Sequence, residues 1–203
     1  MTVTAESFLR DVSRHQMTVF HEDGVYRHLR FRQSDTWNMG FDLVTWPGYL
    51  CYTGDMGCYT FARLRDMFAF FREDSPSKDG LLSISPRYWA EKCQAMDRTS
   101  GIQEYEPETF RSDIRRWIDD LAEYEDDKER VQRIREAVER DVIPHADDGE
   151  HEAYRIAAMF ECEDFFFDNL HEANFREYTH HYLWCCHAIV WGIRQYDAAK
   201  ATV

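Results

Sequence analysis

Apolar positions recur at helical spacing in some stretches of this chain and at alternate positions in others. Residues 4–16 read as a helix: Thr4 can cap it, Glu6 sits in the first turn, and Ala5, Phe8, Leu9 and Val12 make one apolar stripe. From residue 25 the period drops to two. Residues 25–32, 41–46, 49–53 and 58–61 then read as strands. Trp46-Pro47-Gly48-Tyr49 has Pro and Gly where a type II turn needs them, and Gly54-Asp55-Met56-Gly57 is the next turn. Connections this short force antiparallel neighbours, so the strands form a meander. Past residue 61 the period returns to 3.6. Leu64, Met67, Phe68 and Phe71 share one helical face, with Ser75-Pro76 as its stop and Ser85-Pro86 as the start of another helix.

The second half reads as helical. Phe110, Ile114, Trp117, Ile118, Leu121 and Tyr124 recur at helical spacing, as do Val131, Ile134 and Val138. Glu129 with Arg133, and Glu136 with Arg140, are i,i+4 pairs on the wet side. The last helix, about residues 175–196, carries two apolar stripes. One is Phe175, Tyr178, Tyr182, Cys186, Ile189, Ile193 and Tyr196; the other is Trp184, His187 and Trp191. Such a helix is central to the fold or shared with a partner, which would make a homo-oligomer through residues 175–196. The expected fold is α+β: a four-stranded antiparallel meander, about residues 25–61, packed against an N-terminal helix and a helical C-terminal half. A single domain is expected over residues 1–203, with sheet plus helices in 1–100 and an acidic helical half in 101–203.

Composition supports a packed chain. Aromatics are 15% of its 203 residues, a load that disordered chains do not carry. The six cysteines (Cys51, Cys58, Cys93, Cys162, Cys185, Cys186) show no zinc-ribbon or CxxC spacing, which points to reduced thiols in a cytoplasm. MTVTAESFLR carries no apolar signal segment, and the apolar run at residues 182–193 is too short to span a bilayer. The expectation is a cytoplasmic chain with no membrane association.

The charge is lopsided. Residues 104–172 hold 23 acidic and 9 basic residues, a net of −14, while the remainder balances at 15 and 15. That balance opposes direct nucleic-acid binding, which runs on phosphate neutralisation, and favours a partner protein with a basic surface. Solubility is the plainer account of the same charges.

The strand block GVYRHLRFRQ with FDLVTWPGYLCYTGDMGCYTFARLRDMFAFFR resembles a family of proteins encoded by tailed phages and prophages. The likeness covers residues 8–72 and returns at YLWCCHAIVWGIRQYD near the C-terminus. The resemblance implies a phage-encoded protein working in a bacterial host cytoplasm. It brings no activity, cofactor or catalytic residue.

Chemistry is sparse. Pairing across the two turns sets 45 opposite 50, 43 opposite 52, 41 opposite 54 and 52 opposite 59. One sheet face then carries Phe41, Leu43, Leu50, Tyr52, Tyr59 and Phe61, and the other Asp42, Val44, Trp46, Cys51, Thr53, Cys58 and Thr60. Tyr26, His28, Arg30 and Arg32 can join the second face. There Cys58 and Asp42 flank Thr53, and with His28 as base they are candidates for nucleophilic catalysis; ordinary polar pairs on a half-buried face are the simpler account. His145, Asp147 and His151 are candidate metal ligands, set against a reading in which Pro144 breaks a helix and Asp147 or Asp148 caps the next. Of His180, His181, Cys185, Cys186 and His187, His180 and His187 lie near one helix face while Cys185 points elsewhere, which reads as core packing plus two surface histidines. Gly54-Asp55-Met56-Gly57 leads into a strand as a hairpin turn does, not as a phosphate loop does. No cofactor motif occurs.

Three functions follow. The first is a phage-encoded acidic accessory protein that binds a host protein, an inhibitor of a bacterial defence system of the anti-CRISPR or anti-restriction type. Its binding surface is Asp119, Asp120, Glu123, Glu125, Asp126 and Asp127. It is at most a partial DNA mimic, because Arg115, Arg116, Arg133 and Arg135 interrupt the charge. The second is a small enzyme using the polar sheet face or the His145–His151 cluster, and the third an assembly protein oligomerising through the last helix.

Overall fold

The computed structural model describes residues 3–73 and 82–201. The chain divides into two compact units, residues 1–103 with 178–203, and residues 104–177.

The first unit is built on a six-stranded antiparallel sheet whose strands lie in chain order. They are β1 (Gln16–Asp23), β2 (Tyr26–Arg32), β3 (Phe41–Trp46), β4 (Tyr49–Gly54), β5 (Gly57–Ala62) and β6 (Cys93–Met96). The four expected central strands are present, with the expected register: Leu43 opposes Tyr52, Phe41 opposes Gly54, and Tyr52 opposes Tyr59. Two further edge strands correct the count. β1 is almost wholly exposed, so it has no buried face to write an alternating pattern into its sequence. β6 is only four residues long.

Leu29, Phe31, Phe41, Leu43, Leu50, Tyr52, Tyr59 and Phe61 make the inner face of the sheet, and all are fully buried. Onto it pack α1 (Ala5–Asp11), α2 (Met67–Glu73), α3 (Pro86–Ala90) and the last helix, named α7 below. α1 starts at the expected cap, with Thr4 and Ser7 bonding each other's backbone, but stops at Asp11 and not at residue 16. Only Phe8 and Val12 of its stripe are buried, while Leu9 is exposed, and beyond Val12 the chain turns into β1. α2 opens at Met67, where Asp66 accepts from the Phe68 N–H at 2.9 Å; Leu64 lies outside it and is exposed. The expected stop at Ser75-Pro76 lies outside the described residues. Pro86 stands in the first turn of α3, as expected.

The second unit, Glu104–Glu177, holds α4 (Pro107–Tyr124), α5 (Lys128–Asp141) and α6 (Glu150–Met159). Phe110, Ile114 and Ile118 of α4 meet Val131, Ile134 and Val138 of α5 in a separate core with Ala153, Ala157, Phe167 and Phe175. At the boundary of the units, β7 (Gln103–Tyr105) and β8 (Arg176–Tyr178) pair with each other.

α7 runs His180–Ala201 and belongs to the first unit. The expected start near residue 175 is displaced because 176–178 are held in β8. The Thr179 hydroxyl then accepts from the Tyr182 N–H at 3.2 Å and caps the helix. Both apolar stripes are covered within the unit: Trp184 packs on Phe8, Phe41 and Tyr52, and Trp191 on Phe8, Phe31 and Phe41. Phe175, counted in the first stripe, belongs to the second core instead. Gly192 lets α7 lie close to the sheet, since a Cβ there would stand 2.8 Å from Leu43 Cδ1. The doubly apolar helix is thus central to its own unit.

Candidate functional site

The outer face of the sheet remains partly open, with Tyr26, Trp46, Tyr49 and Cys58 exposed. Strand register brings Asp42 opposite Arg30 on one side and Thr53 on the other. Asp42 is only 6% exposed. Its carboxylate accepts from His28 Nε2 at 2.7 Å and from Arg30 Nε and Nη2, each at 2.9 Å. Burial alone would raise the Asp42 carboxyl, but the bonds from Arg30 and His28 outweigh it and hold the group below the usual carboxylate range. The Arg30 guanidinium lies over the rings of Phe20 and Trp37, at 4.7 and 5.1 Å.

Cys58 does not join this network. It opposes Thr53 as expected, so it sits two strands from Asp42, about 10 Å by strand spacing. His28 opposes Val44 in a different row and lies three strands from Cys58, about 14 Å away by the same spacing. The catalytic triple therefore does not assemble. The nearest thiol partner of Cys58 is Cys51, with sulfurs 3.9 Å apart. Burial, then Cys51, pushes the Cys58 thiol up, away from the thiolate that nucleophilic catalysis requires.

The His145–His151 segment does not converge on a metal either. His145 Nδ1 bonds Asp148 at 2.8 Å, Asp147 pairs with Arg111, and Glu150 accepts from Arg176 at 2.6 and 2.7 Å. His151 instead lines a shallow groove of about 350 Å³ with Glu150, Tyr154, Ala173, Asn174 and Phe175. No cluster of three or more His, Cys, Asp or Glu side chains able to hold a metal occurs among the described residues. The expected cap is also corrected: Gly149, at φ 94°, precedes α6, and no side chain caps it.

On α7, Cys185, Cys186 and His187 are buried, His180 is exposed, and His181 Nδ1 bonds the Ser100 hydroxyl. No local sequence signal joins that last pair, because 81 residues separate its partners. The Gly54–Gly57 segment is the expected hairpin turn, and Asp55 accepts from the Met39 N–H at 2.9 Å.

The six candidate carboxylates lie at the α4–α5 turn, where the structure sorts them by role. Asp127 caps α5 by accepting from the Arg130 N–H at 2.9 Å. Glu125 accepts from Arg130 Nη1 at 2.5 Å and from the Asp127 N–H, and Asp119 from Arg135 at 2.9 Å. Asp120, Glu123 and Asp126 are exposed and have no cationic partner among the described residues. Asp120 and Glu123 stand near the carbonyl end of α4, whose last turn holds no basic residue. Negative charge at that end opposes the helix dipole. Lys128 meets part of the deficit by donating to the Ala122 and Glu125 carbonyls at 2.8 Å. Between these carboxylates Tyr124 is 86% exposed, a residue sequence periodicity assigns to the apolar stripe.

All nine arginines of the second unit pair with its own carboxylates. The partners are not always those expected from i,i+4 spacing: Arg133 bonds Glu163 and Arg140 bonds Asp141, while Glu136 accepts from Gln132. Along α4, Asp113, Arg116, Trp117 and Asp120 line a second groove with Ala173, of about 260 Å³. No helix among the described residues is long and apolar enough to cross a membrane. No protein-family model, curated protein or solved structure matches the chain.

Proposed function

We propose that this chain is a non-catalytic binding protein whose α4–α5 turn docks on a basic surface of another protein. One observation carries the reading. Asp120 and Glu123 are exposed, unpaired and set against the dipole of their own helix, beside an exposed Tyr124. A surface shaped for solubility alone gains nothing from carboxylates at a helix C-terminus, since the same charges at an N-terminus would also stabilise the helix. A basic partner surface reverses that balance: its cations supply the charge the helix end lacks, and a tyrosine offers amphipathic contact area. The resemblance of the strand block to phage and prophage proteins supports a bacterial host protein as the partner. Inhibition of a host defence system that handles nucleic acid fits this reading, because proteins that neutralise phosphates carry basic surfaces. A catalytic role has less support, because neither Cys58 nor the His145–His151 segment finds the partners its chemistry needs.

Affinity capture from a bacterial lysate tests the proposal, using the native chain and a variant carrying Asp120→Asn, Glu123→Gln and Asp126→Asn. A basic host protein retained by the native chain at low salt, and lost both at high salt and with the variant, is the expected result. Equal retention by the two proteins would place the binding surface elsewhere.

A further inference from the structure

Two thiols on the outer sheet face have no role in the reading above. Cys51 lies on β4 and Cys58 on β5, and each opposes a threonine: Cys51 faces Thr60, and Cys58 faces Thr53. The two cysteines are therefore diagonal neighbours on one face, and their sulfurs stand 3.9 Å apart. Cys58 is exposed and Cys51 half-buried, so the pair opens to solvent. Their positions are fixed. β4 and β5 are interior strands, and the turn between them is closed by Gly54 opposite Gly57. Gly54 also packs directly against the start of β3, since a Cβ there would fall 2.3 Å from the Gly40 carbonyl oxygen and no larger residue fits.

The other cysteines offer nothing comparable. Cys185 and Cys186 are fully buried in α7, the Cys93 thiol donates to the Ala95 carbonyl at 3.1 Å, and Cys162 lies in the second unit.

We infer that Cys51 and Cys58 form a two-sulfur chelating site for a soft, thiophilic d10 cation of the zinc and cadmium class. The spacing carries the argument. Two thiolates about 2.3 Å from a tetrahedral metal hold their sulfurs about 3.8 Å apart. The observed separation already matches that bite with no strand movement. Diagonal neighbours on adjacent strands stand about 7–8 Å apart, at or beyond the usual Cα reach of a disulfide, so the geometry suits a bridging ion better than a direct bond. Hard cations such as magnesium and calcium prefer oxygen donors and would be rejected. Water completes the coordination from the open side.

Binding converts two thiols and one divalent ion into a dithiolate complex and releases two protons to solvent. Because each thiol must give up its proton to bind the ion, affinity rises as pH rises.

Titration of the phosphine-reduced, metal-free protein with cadmium(II) alone tests the site, read by the thiolate-to-cadmium charge-transfer band in the ultraviolet. One equivalent should bind, with two protons released. Cys51→Ser or Cys58→Ser should weaken binding by about tenfold or more, a loss no smaller than that seen when groups supporting metal ligands are removed. Cys93→Ser and Cys162→Ser should bind as the native chain does. Circular dichroism checks that each variant is folded. A second measurement needs no variant: cadmium should protect Cys51 and Cys58, but not Cys162, from alkylation mapped by peptide mass. Binding at undiminished strength in both Cys51→Ser and Cys58→Ser would overturn the site. So would absence of the band with excess cadmium, or alkylation of the pair unaffected by cadmium.

Discussion

Burial lowers the His187 imidazole to a pKa of about 4, against an ordinary value of 6.5. It is only 4% exposed, stacks on Phe8, and its Nδ1 has no partner. The unfolded chain takes up a proton near 6.5 and the folded chain only near 4. Stability is therefore fully present above 6.5 and falls as pH drops from 6.5 to 4, by at most about 3 kcal/mol. His187→Gln removes this titration, so its urea midpoint should change less between pH 6.5 and 4 than that of the native chain. Asp42 acts in the same direction at lower pH. Its folded carboxyl is held down, so its contribution is present above the ordinary carboxylate range and lost as acid protonates it. Gly192 gives a packing test. Alanine there gains helix propensity but drives a methyl into Leu43 and Phe31. Overpacking costs about 1–3 kcal/mol against a propensity gain of roughly 1, so a lower urea midpoint is expected.

Among the elements, those that bury a face were legible and those that do not were hidden. β2 to β5 alternate because one side of each is closed by the core, and alternation plus two short turns was enough to set their register. β1 buries almost nothing and left no pattern. α7 was legible as an unusual helix, but its start depended on pairing of β8 with residues about 75 positions earlier, which no local signal carries. The candidate sites divide the same way. Asp42 and Cys58 beside Thr53 followed from register within the meander, whereas the distance of His28 from Cys58 depended on where β2 joins the sheet. At the α4–α5 turn the sequence shows six carboxylates alike, and only the structure separates caps and ion pairs from free charges. That separation is testable. Asp127→Ala should destabilise by about 0.5–2 kcal/mol through loss of the α5 cap, while Asp127→Asn, itself a good cap, should be near neutral. Replacing Asp120 and Glu123 with Asn and Gln should instead raise the melting temperature slightly, chiefly because Glu123 sits in the last turn of α4 and opposes its dipole, with Asp120 just before that turn contributing less.

Across the whole molecule the charge resides in one unit. Residues 104–177 hold 24 acidic and 10 basic residues, and the rest balances at 14 and 14. Every cation of the acidic unit is engaged internally, by a carboxylate or, for Lys128, by backbone carbonyls. Its excess charge is therefore held by carboxylates with no cationic partner of their own, and a partner protein can supply one. Complementary charge of this kind speeds encounter and is screened by salt. The most direct measurement is the affinity of the captured partner as a function of salt, for the native chain and for the Asp120→Asn, Glu123→Gln variant. The account predicts a native affinity that falls steeply with salt, and a variant that is weaker at low salt, flatter in its salt dependence and at least as stable. Coincident salt curves for the two folded proteins would contradict it.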